Sequence, residues 1–330
     1  MTLAELAGLL NLSTTTVSRV LSGNAEKYRI SKKTQKKVRE AAEQHEFEVN
    51  QVARNLRLQQ TNTIGLVIPD ISNPFFGNLA KKVEIELRKR GKLIILCDTD
   101  DDVQIEKETL SLMISRKVDG LLLVPVGLSS DHLSKLKSLP TVMIDRYFQD
   151  LPIPHVSTNN YEGAYEATKY LIDRNHKKIT CIQGISHTIS NVERIKGFNQ
   201  AIEDSSVSAD HCEIIGSDFS LACGYEAAKE ALSKKDRPTA IFALGNQIAL
   251  GALKAIKENA LSVPEDISII SFDEQPFFEL TSPTITTVKQ PIEQIGQVAS
   301  ELLFELMDKR EVSSQLLPAT LIERNSVKAI

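Results

Sequence analysis

Leu3-Ala4-Glu5-Leu6-Ala7-Gly8-Leu9-Leu10-Asn11-Leu12-Ser13-Thr14-Thr15-Thr16-Val17-Ser18-Arg19-Val20-Leu21 carries two short helical patterns separated by a turn. Thr2 and Glu5 form a capping box that starts the first, Asn11 marks the turn, and Ser13 caps the second. Leu6, Leu10, Val17 and Val20 are left to pack the pair together, while Thr14, Thr15, Ser18 and Arg19 stay outside. Short hydroxyls followed by an arginine suit a recognition helix, which must reach base edges and phosphates in a major groove about 12 Å wide. An ordinary two-helix corner would show the same apolar spacing, because helix-turn-helix patterns are loose.

Charge favours the nucleic-acid reading. The chain of 330 residues has a net charge of −4, yet residues 1–62 contain ten Lys/Arg against six Asp/Glu. A basic module on an acidic body is what local phosphate attraction requires. Lys32, Lys33, Lys36, Lys37 and Arg39 form a basic run on a third helix capped by Ser31, although a solvated face would look the same. Beyond it, Asn50-Gln51-Val52-Ala53-Arg54-Asn55-Leu56-Arg57 starts with a capping Asn and places Val52 and Leu56 four residues apart between arginines. Helices this short are marginal alone, so the segment is expected to fold only against a partner copy or a DNA groove. There Leu56 could wedge between base steps; otherwise it packs in a linker, and Gln59-Gln60-Thr61-Asn62 that follows has linker composition.

These motifs resemble the lactose/galactose repressor family of bacterial transcription regulators, and the likeness runs along essentially the whole chain. It rests on Leu3 to Ala7 with Thr16 to Gly23, on Asn50 to Leu56, and on Ile64-Gly65-Leu66-Val67-Ile68-Pro69-Asp70 to Phe76. Val118 to Leu121, Arg194 to Phe198, Ala249 to Leu253, and Val263 to Asp273 continue it in the same order. The link Lys27-Tyr28-Arg29-Ile30-Ser31 is longer than the common connection and looks like the fructose and sucrose repressor branch. The resemblance implies DNA contacts from Thr14, Thr15, Thr16, Ser18, Arg19, Tyr28 and Arg29 in the head, and from Asn50, Val52, Ala53, Arg54 and Leu56 in the hinge.

Past residue 62 the pattern can also be read without the family. Apolar runs at Ile64 to Ile68, Leu93 to Leu96, Leu121 to Val124 and Val142 to Ile144 alternate with helical patterns near 75–91, 103–117 and 130–138. A second series follows at Ile179 to Ile182, Ile214-Ile215, Ile241 to Leu244 and Ile267 to Ile270. Such alternation predicts parallel sheets with right-handed crossovers, and this length predicts two lobes instead of one core. The fold class is therefore α/β: an all-α helix-turn-helix head plus two doubly wound parallel-sheet lobes, which by resemblance are of the periplasmic sugar-binding type. Expected domains are 1–48 for DNA binding, 49–62 for hinge helix and linker, and 63–330 for effector binding and dimerisation. The first lobe takes about 63–158 plus 291–318, and the second about 159–290 plus 319–330. Pro291 suits a first helical position, and Ile292, Ile295, Val298, Leu302 and Leu306 give that helix its apolar face.

A ligand is expected where the carboxyl ends of the strands of both lobes meet. By resemblance the effector-binding set is Phe75, Phe76, Asp145, Arg146, Thr158, Thr188, Ser190, Arg194, Phe219, Asn246, Asp273 and Gln290. Phe75 and Phe76 would serve equally as core, and Arg194 could instead pair with Glu193 or Asp204. Two positions depart from the family: Gly245-Asn246 replaces an Asn-Asp pair, and Thr158-Asn159 replaces an Asp-Asn pair before Tyr161. Fewer carboxylates make an anionic ligand more tolerable, so a sugar phosphate is favoured over a free sugar.

Other classes find little support. There is no 18-residue apolar run and no basic, apolar leader, so no membrane partner and a cytoplasmic location are expected. Cys97, Cys181, Cys212 and Cys223 and the six His are scattered, without metal-ligand spacing. No Gly-rich phosphate loop or nucleophile elbow occurs, so neither enzyme nor cofactor is expected. A sugar-binding transport receptor shares the lobes but not the basic head. The expectation is a homodimeric regulator, more simply a repressor, that binds pseudo-palindromic operator DNA and answers to a sugar or sugar-phosphate effector.

Overall fold

The structure, a computed structural model, describes residues 1–45, 47 and 60–330. It divides into two compact units, Met1–Thr61 and Asn62–Ile330.

The first unit is built from α1 (Leu3–Leu10), α2 (Thr14–Leu21) and α3 (Lys32–Gln44). Each start is capped as its sequence dictates. The Thr2 hydroxyl accepts from Glu5 N at 3.2 Å and the Glu5 carboxylate accepts from Thr2 N at 2.8 Å. Ser13 and Ser31 accept from Thr16 N and Thr34 N, satisfying backbone donors that have no partner inside the helix. Asn11 closes α1 in the left-handed conformation at φ 51°, one that Asn tolerates better than most residues. Leu6, Val17 and Val38, all fully buried, bring the three helices onto one small core with Leu10, Val20 and Ala25. Lys37 stays exposed and donates to Leu10 O at 3.1 Å, placing a cation at the carbonyl end of α1.

The second unit contains two six-stranded sheets. The first consists of β1 (Thr63–Ile68), β2 (Leu93–Asp98), β3 (Gly120–Leu123), β4 (Thr141–Ile144), β5 (His155–Thr158) and β11 (Gln315–Leu317), in the order β11-β5-β4-β3-β1-β2. The second repeats this plan with β6 (Ile179–Ile182), β7 (Cys212–Ile215), β8 (Ala240–Ala243), β9 (Ser268–Phe272), β10 (Thr286–Lys289) and β12 (Thr320–Ile322), in the order β12-β10-β9-β8-β6-β7. All neighbours are parallel except β12 against β10. Central strands such as β3, β4 and β8 are buried along their whole length, which is why they read as continuous apolar runs and not as alternation. Helices α4 (Pro74–Lys89), α5 (Val103–Ser115), α6 (Asn160–Ile172), α7 (Ile189–Glu203), α8 (Leu221–Ser233), α9 (Asn246–Glu258) and α10 (Ile292–Met307) cover the faces.

Helix α10 comes late in the chain yet packs Ile295, Leu302 and Leu303 on the core of the first sheet, beside Ile64 and Leu79. Pro291 is its cap residue and not its first turn. The expected helix near 130–138 is a shorter 3₁₀ segment, Asp131–Leu136. Its apolar residues Leu133 and Leu136, with Leu139 just beyond it, recur every third position, the period of a 3₁₀ turn, and all pack on one cluster.

Helices α8 and α9 touch backbone to backbone at Gly251. A Cβ built there would lie 2.2 Å from Leu221 O and 2.5 Å from Tyr225 N. Backbone atoms cannot swing aside as a side-chain end can. Gly251→Ala should therefore lose about 1–3 kcal/mol of stability, overriding the gain of about 1 kcal/mol in helix propensity. A lower denaturant midpoint at unchanged slope checks this.

Candidate functional sites

The exposed face of α2 and the loop after it form one candidate site. Thr14 and Thr15 are exposed, the Thr16 hydroxyl bonds to Ser13 Oγ at 2.8 Å, and Ser18 and Arg19 are half-buried. The Arg19 guanidinium lies 3.8 Å from the centre of the Tyr28 ring. Arg29 is exposed and holds a left-handed backbone at φ 53°. Lys32, Lys33, Lys36 and Arg39 are exposed on α3, with Lys36 3.6 Å from Glu40. The hinge positions Asn50, Val52, Ala53, Arg54 and Leu56 lie outside the described residues.

The second candidate site lies between the two sheets of the larger unit. Strands β4 and β9 are equivalent in their lobes, and each is followed by an aspartate in the left-handed region, Asp145 at φ 62° and Asp273 at φ 75°. Their backbone N–H groups donate to matching carbonyls, Val156 O and Val288 O, both at 2.9 Å. The repeated strand plan thus delivers one carboxylate from each lobe to the same crevice, at the carboxyl ends of the strands.

Phe75, Phe76, Asp145, Arg146, Ser190, Arg194, Phe219, Asp273 and Gln290 line that crevice together with Asn73. Its remaining free space, about 20 Å³, is enough for about one water. Arg146 spans it, with its guanidinium 5.7 Å from the ring centres of both Phe76 and Phe219 and donating to Asp101 at 2.5 Å. Phe219 can lie flat there because residue 184 is glycine; a Cβ at Gly184 would sit 2.3 Å from the ring.

Arg194 is 3 % exposed. It donates through Nε to Asn160 Oδ1 at 2.8 Å and through Nη1 to Leu244 O at 2.7 Å, with one face on the Phe272 ring at 3.7 Å. It makes no pair with its sequence neighbours: Glu193 bonds Lys196 and Asp204 accepts from Tyr165. Burial lowers the proton affinity of its guanidinium while Asp273 and Asp145 oppose that. For Asp145, burial pushes the carboxyl up from 3.8 to about 6, against the pull of Arg194 and Arg146.

Asn246 reaches across the crevice, its amide donating to Asn73 Oδ1 at 3.1 Å and Asp273 Oδ2 at 3.4 Å. Gln290 donates to Asp273 Oδ1 at 2.6 Å and accepts from the Thr158 hydroxyl at 2.5 Å, so Thr158 stands behind Gln290. The buried Oδ1 atoms of Asp145 and Asn246 have no hydrogen-bond partner. Thr188, the cap residue of α7, faces instead an outer chamber of about 400 Å³ shared with Asp101, Lys107, Leu128, His132, Arg146 and His187.

One feature corrects the sequence reading. The residues directly before Tyr161 are Asn159-Asn160, not Thr158-Asn159; Asn159 caps α6 and Asn160 holds Arg194. The crevice holds one carboxylate from each lobe, Asp145 and Asp273, both already in the expected set. Sequence reasoning passed over Asn73, Asn160 and Asp101. Asn73-Pro74 is a helix-start signal that could have marked the first; the other two act through partners 34 and 45 residues away. Among the described residues no cluster of His, Cys, Asp and Glu could hold a metal, and no helix is long and apolar enough to cross a membrane.

A capped helix-turn-helix module joined to two doubly wound lobes with a polar crevice defines a DNA-binding regulator that carries a small-molecule pocket. Comparison agrees: the family "Bacterial regulatory proteins, lacI family" matches residues 2–50 and "Periplasmic binding protein-like domain" matches residues 168–327. The HTH-type transcriptional repressor PurR of Vibrio atlanticus is 31% identical over 100% of this chain and 99% of its own. The HTH-type transcriptional regulator DegA of Bacillus subtilis is 38% identical over 89% and 88%. A LacI family transcriptional regulator from Enterococcus faecium, solved with bound ribose, is 30% identical with a TM-score of 0.75 and covers 81% of this chain and 99% of that one. The chain belongs to the LacI family. It is a DNA-binding transcriptional regulator, and its relatives are regulators, not enzymes.

The raised Asp145 carboxyl has a signed consequence. The folded chain holds this proton up to about pH 6, whereas the unfolded chain releases it near 3.8. Between those values the folded state binds more protons, so stability falls as pH rises through the window, and the full penalty stands above it. Asp145→Asn should therefore be more stable than the parent at pH 7, on the order of 2–3 kcal/mol, with the difference closing toward pH 4. Denaturant unfolding from pH 4 to 8 checks it.

Proposed function

We propose that this chain is a homodimeric repressor whose affinity for a pseudo-palindromic operator is set by a free monosaccharide of pentose size bound between the lobes. The observation that carries the effector class is the pair of buried acceptors without donors, Asp145 Oδ1 and Asn246 Oδ1. Buried acceptors need donors. Sugar hydroxyls donate, while the phosphate of a sugar phosphate adds only acceptors and negative charge beside Asp145 and Asp273. The cations are also largely committed, Arg146 to Asp101 and Arg194 to Asn160 and Leu244. A neutral polyol therefore fits better than the sugar phosphate that the sequence favoured. Phe76 and Phe219 offer apolar faces to ring carbons, and Arg194 with Asp273 offers donors and acceptors to adjacent hydroxyls. The ring would take the space now filled by the Arg146 guanidinium and by the bond between Asn246 and Asn73, so entry requires the lobes to part. The ribose bound to the Enterococcus faecium relative supports this size.

We read residues 1–48 as the operator-binding head, 49–62 as hinge and linker, and 63–330 as the effector-binding and dimerising body. Thr14, Thr15, Thr16, Ser18, Arg19 and Arg29 are the proposed reading face, with Tyr28 stacked beside Arg19, and the link at Lys27–Ser31 supports kinship of the head with the fructose and sucrose repressor branch. Pairing of copies follows from the pseudo-palindromic operator, whose two half-sites take two heads related by a two-fold axis. An operator-bound regulator acts in the bacterial cytoplasm.

A thermal-shift screen tests the effector class, since a ligand of the folded state raises stability by RT ln(1 + [L]/Kd). Free pentoses should raise the melting temperature and their phosphates should not; the reverse ranking would restore the anionic effector. Arg194→Lys should weaken the best sugar about ten- to a hundredfold, because an ammonium cannot replace a fork that is held on both sides. In the head, Arg19→Ala should abolish specific footprints while leaving the sugar-induced melting shift intact.

A further inference from the structure

We propose that Tyr28 is a positioning residue for operator reading: it holds the Arg19 guanidinium by its face, so that the arginine presents its edge to a base pair. This rests on the proposed role of Arg19 as a reader and goes beyond it, because Tyr28 then acts through Arg19 instead of touching DNA.

Arg19 sits near the end of α2, and its long side chain has many rotamers. Its guanidinium carbon is 3.8 Å from the Tyr28 ring centre, a stacking distance at which the face of the cation is occupied while its edge donors remain free. Bidentate recognition of a guanine needs that edge in one plane. Among the described residues Arg19 has no carboxylate partner, so the ring is what orients it.

The ring is itself well held. Backbone bonds from Tyr28 N to Asn24 O at 3.3 Å, Arg29 N to Glu26 O at 3.0 Å and Ile30 N to Ala25 O at 2.9 Å fold residues 24–30 into a compact turn. Ala25 is 3% exposed in the core of the head, and Gln35 on α3 donates to Ile30 O at 2.8 Å. At the other end the Asn24 amide bonds Ser22 Oγ at 3.2 Å. The inserted link is thus a braced platform, and Tyr28, 46% exposed, is its flat top. A shorter connection would lack it.

The test uses full-length protein and a duplex operator selected by the parent from a random pool, with variants of each base pair in one half-site. Tyr28→Ala should lower operator affinity about two- to fivefold per head. It should also reduce discrimination at one base pair, leaving the salt dependence unchanged because no charge is lost. Tyr28→Phe, which keeps the ring face, should behave like the parent. On the residual duplex binding that Arg19→Ala retains at low salt, adding Tyr28→Ala should cost nothing further. Circular dichroism melting of each variant confirms that the head is folded. Equal loss for Phe and Ala would mean that the hydroxyl itself touches DNA, and an additive effect in the Arg19→Ala background would mean that Tyr28 acts independently; either result overturns the proposal. So would unchanged discrimination in Tyr28→Ala. Loss of binding to every duplex by Arg19→Lys and Arg19→Ala alike, without change in base preference, would instead remove Arg19 as a reader.

Discussion

Four charged side chains, Asp145, Arg146, Arg194 and Asp273, are each 6% exposed or less where the two lobes meet, and most of the larger unit's chemistry depends on how they are compensated. Compensation runs both within and between the lobes: Arg194 is balanced first by Asp273 of its own lobe, and Arg146 bonds Asp101 of its own. Arg194 comes from the second lobe and also draws on Asp145 from the first, while Arg146 of the first lobe rests against Phe219 of the second. Removing a charge from water costs several kcal/mol unless partners and hydrogen bonds replace the solvent. Here the replacement is partial, as the raised Asp145 carboxyl and its unpartnered oxygen attest. A core built only for stability would not leave that acceptor idle; a crevice that must admit hydroxyls does.

The repeated strand order explains how this cluster is assembled from distant segments. Because β4 and β9 hold equivalent places, the same left-handed aspartate with the same backbone bond appears at 145 and 273. The surroundings then diverge. Asp145 is followed by Arg146 and keeps a free oxygen, whereas Asp273 is bonded by Gln290 and Asn246. One carboxylate is thereby fixed by two protein donors and the other keeps an unpartnered oxygen, an asymmetry that arises from side chains and not from the backbone plan.

Local physics was legible in the sequence to a useful depth. The caps at Thr2, Ser13 and Ser31 are short-range, and the buried strands announce themselves as apolar runs. The 3₁₀ segment at Asp131–Leu136 was misread because three leucines at a spacing of three satisfy a loose helical template. The crevice was legible only through resemblance, since nothing local joins Phe76 to Phe219 or Arg194 to Asn160. The shift at Asn159-Asn160 shows the limit of such carry-over: only two positions separate Thr158, a strand end that braces Gln290, from Asn160, a helix start that braces Arg194. Asn73 and Asn246, 173 positions apart, are brought together only by the fold.

The bond between Asn73 and Asn246 also constrains how an effector can act. A ligand shifts a conformational equilibrium only by the difference in its affinity for the two states. In the closed crevice the lobes already hold each other through that bond and through Arg146, so a sugar that merely replaced these contacts one for one would leave the lobe angle where it was. The unpartnered oxygens change this balance. A ring that donates to Asp145 and Asn246 satisfies acceptors that the protein alone cannot, and only while both lobes are close enough to reach it. On the proposed seating of a sugar, the orphaned acceptors are the part of the site that turns binding into a preference for closure.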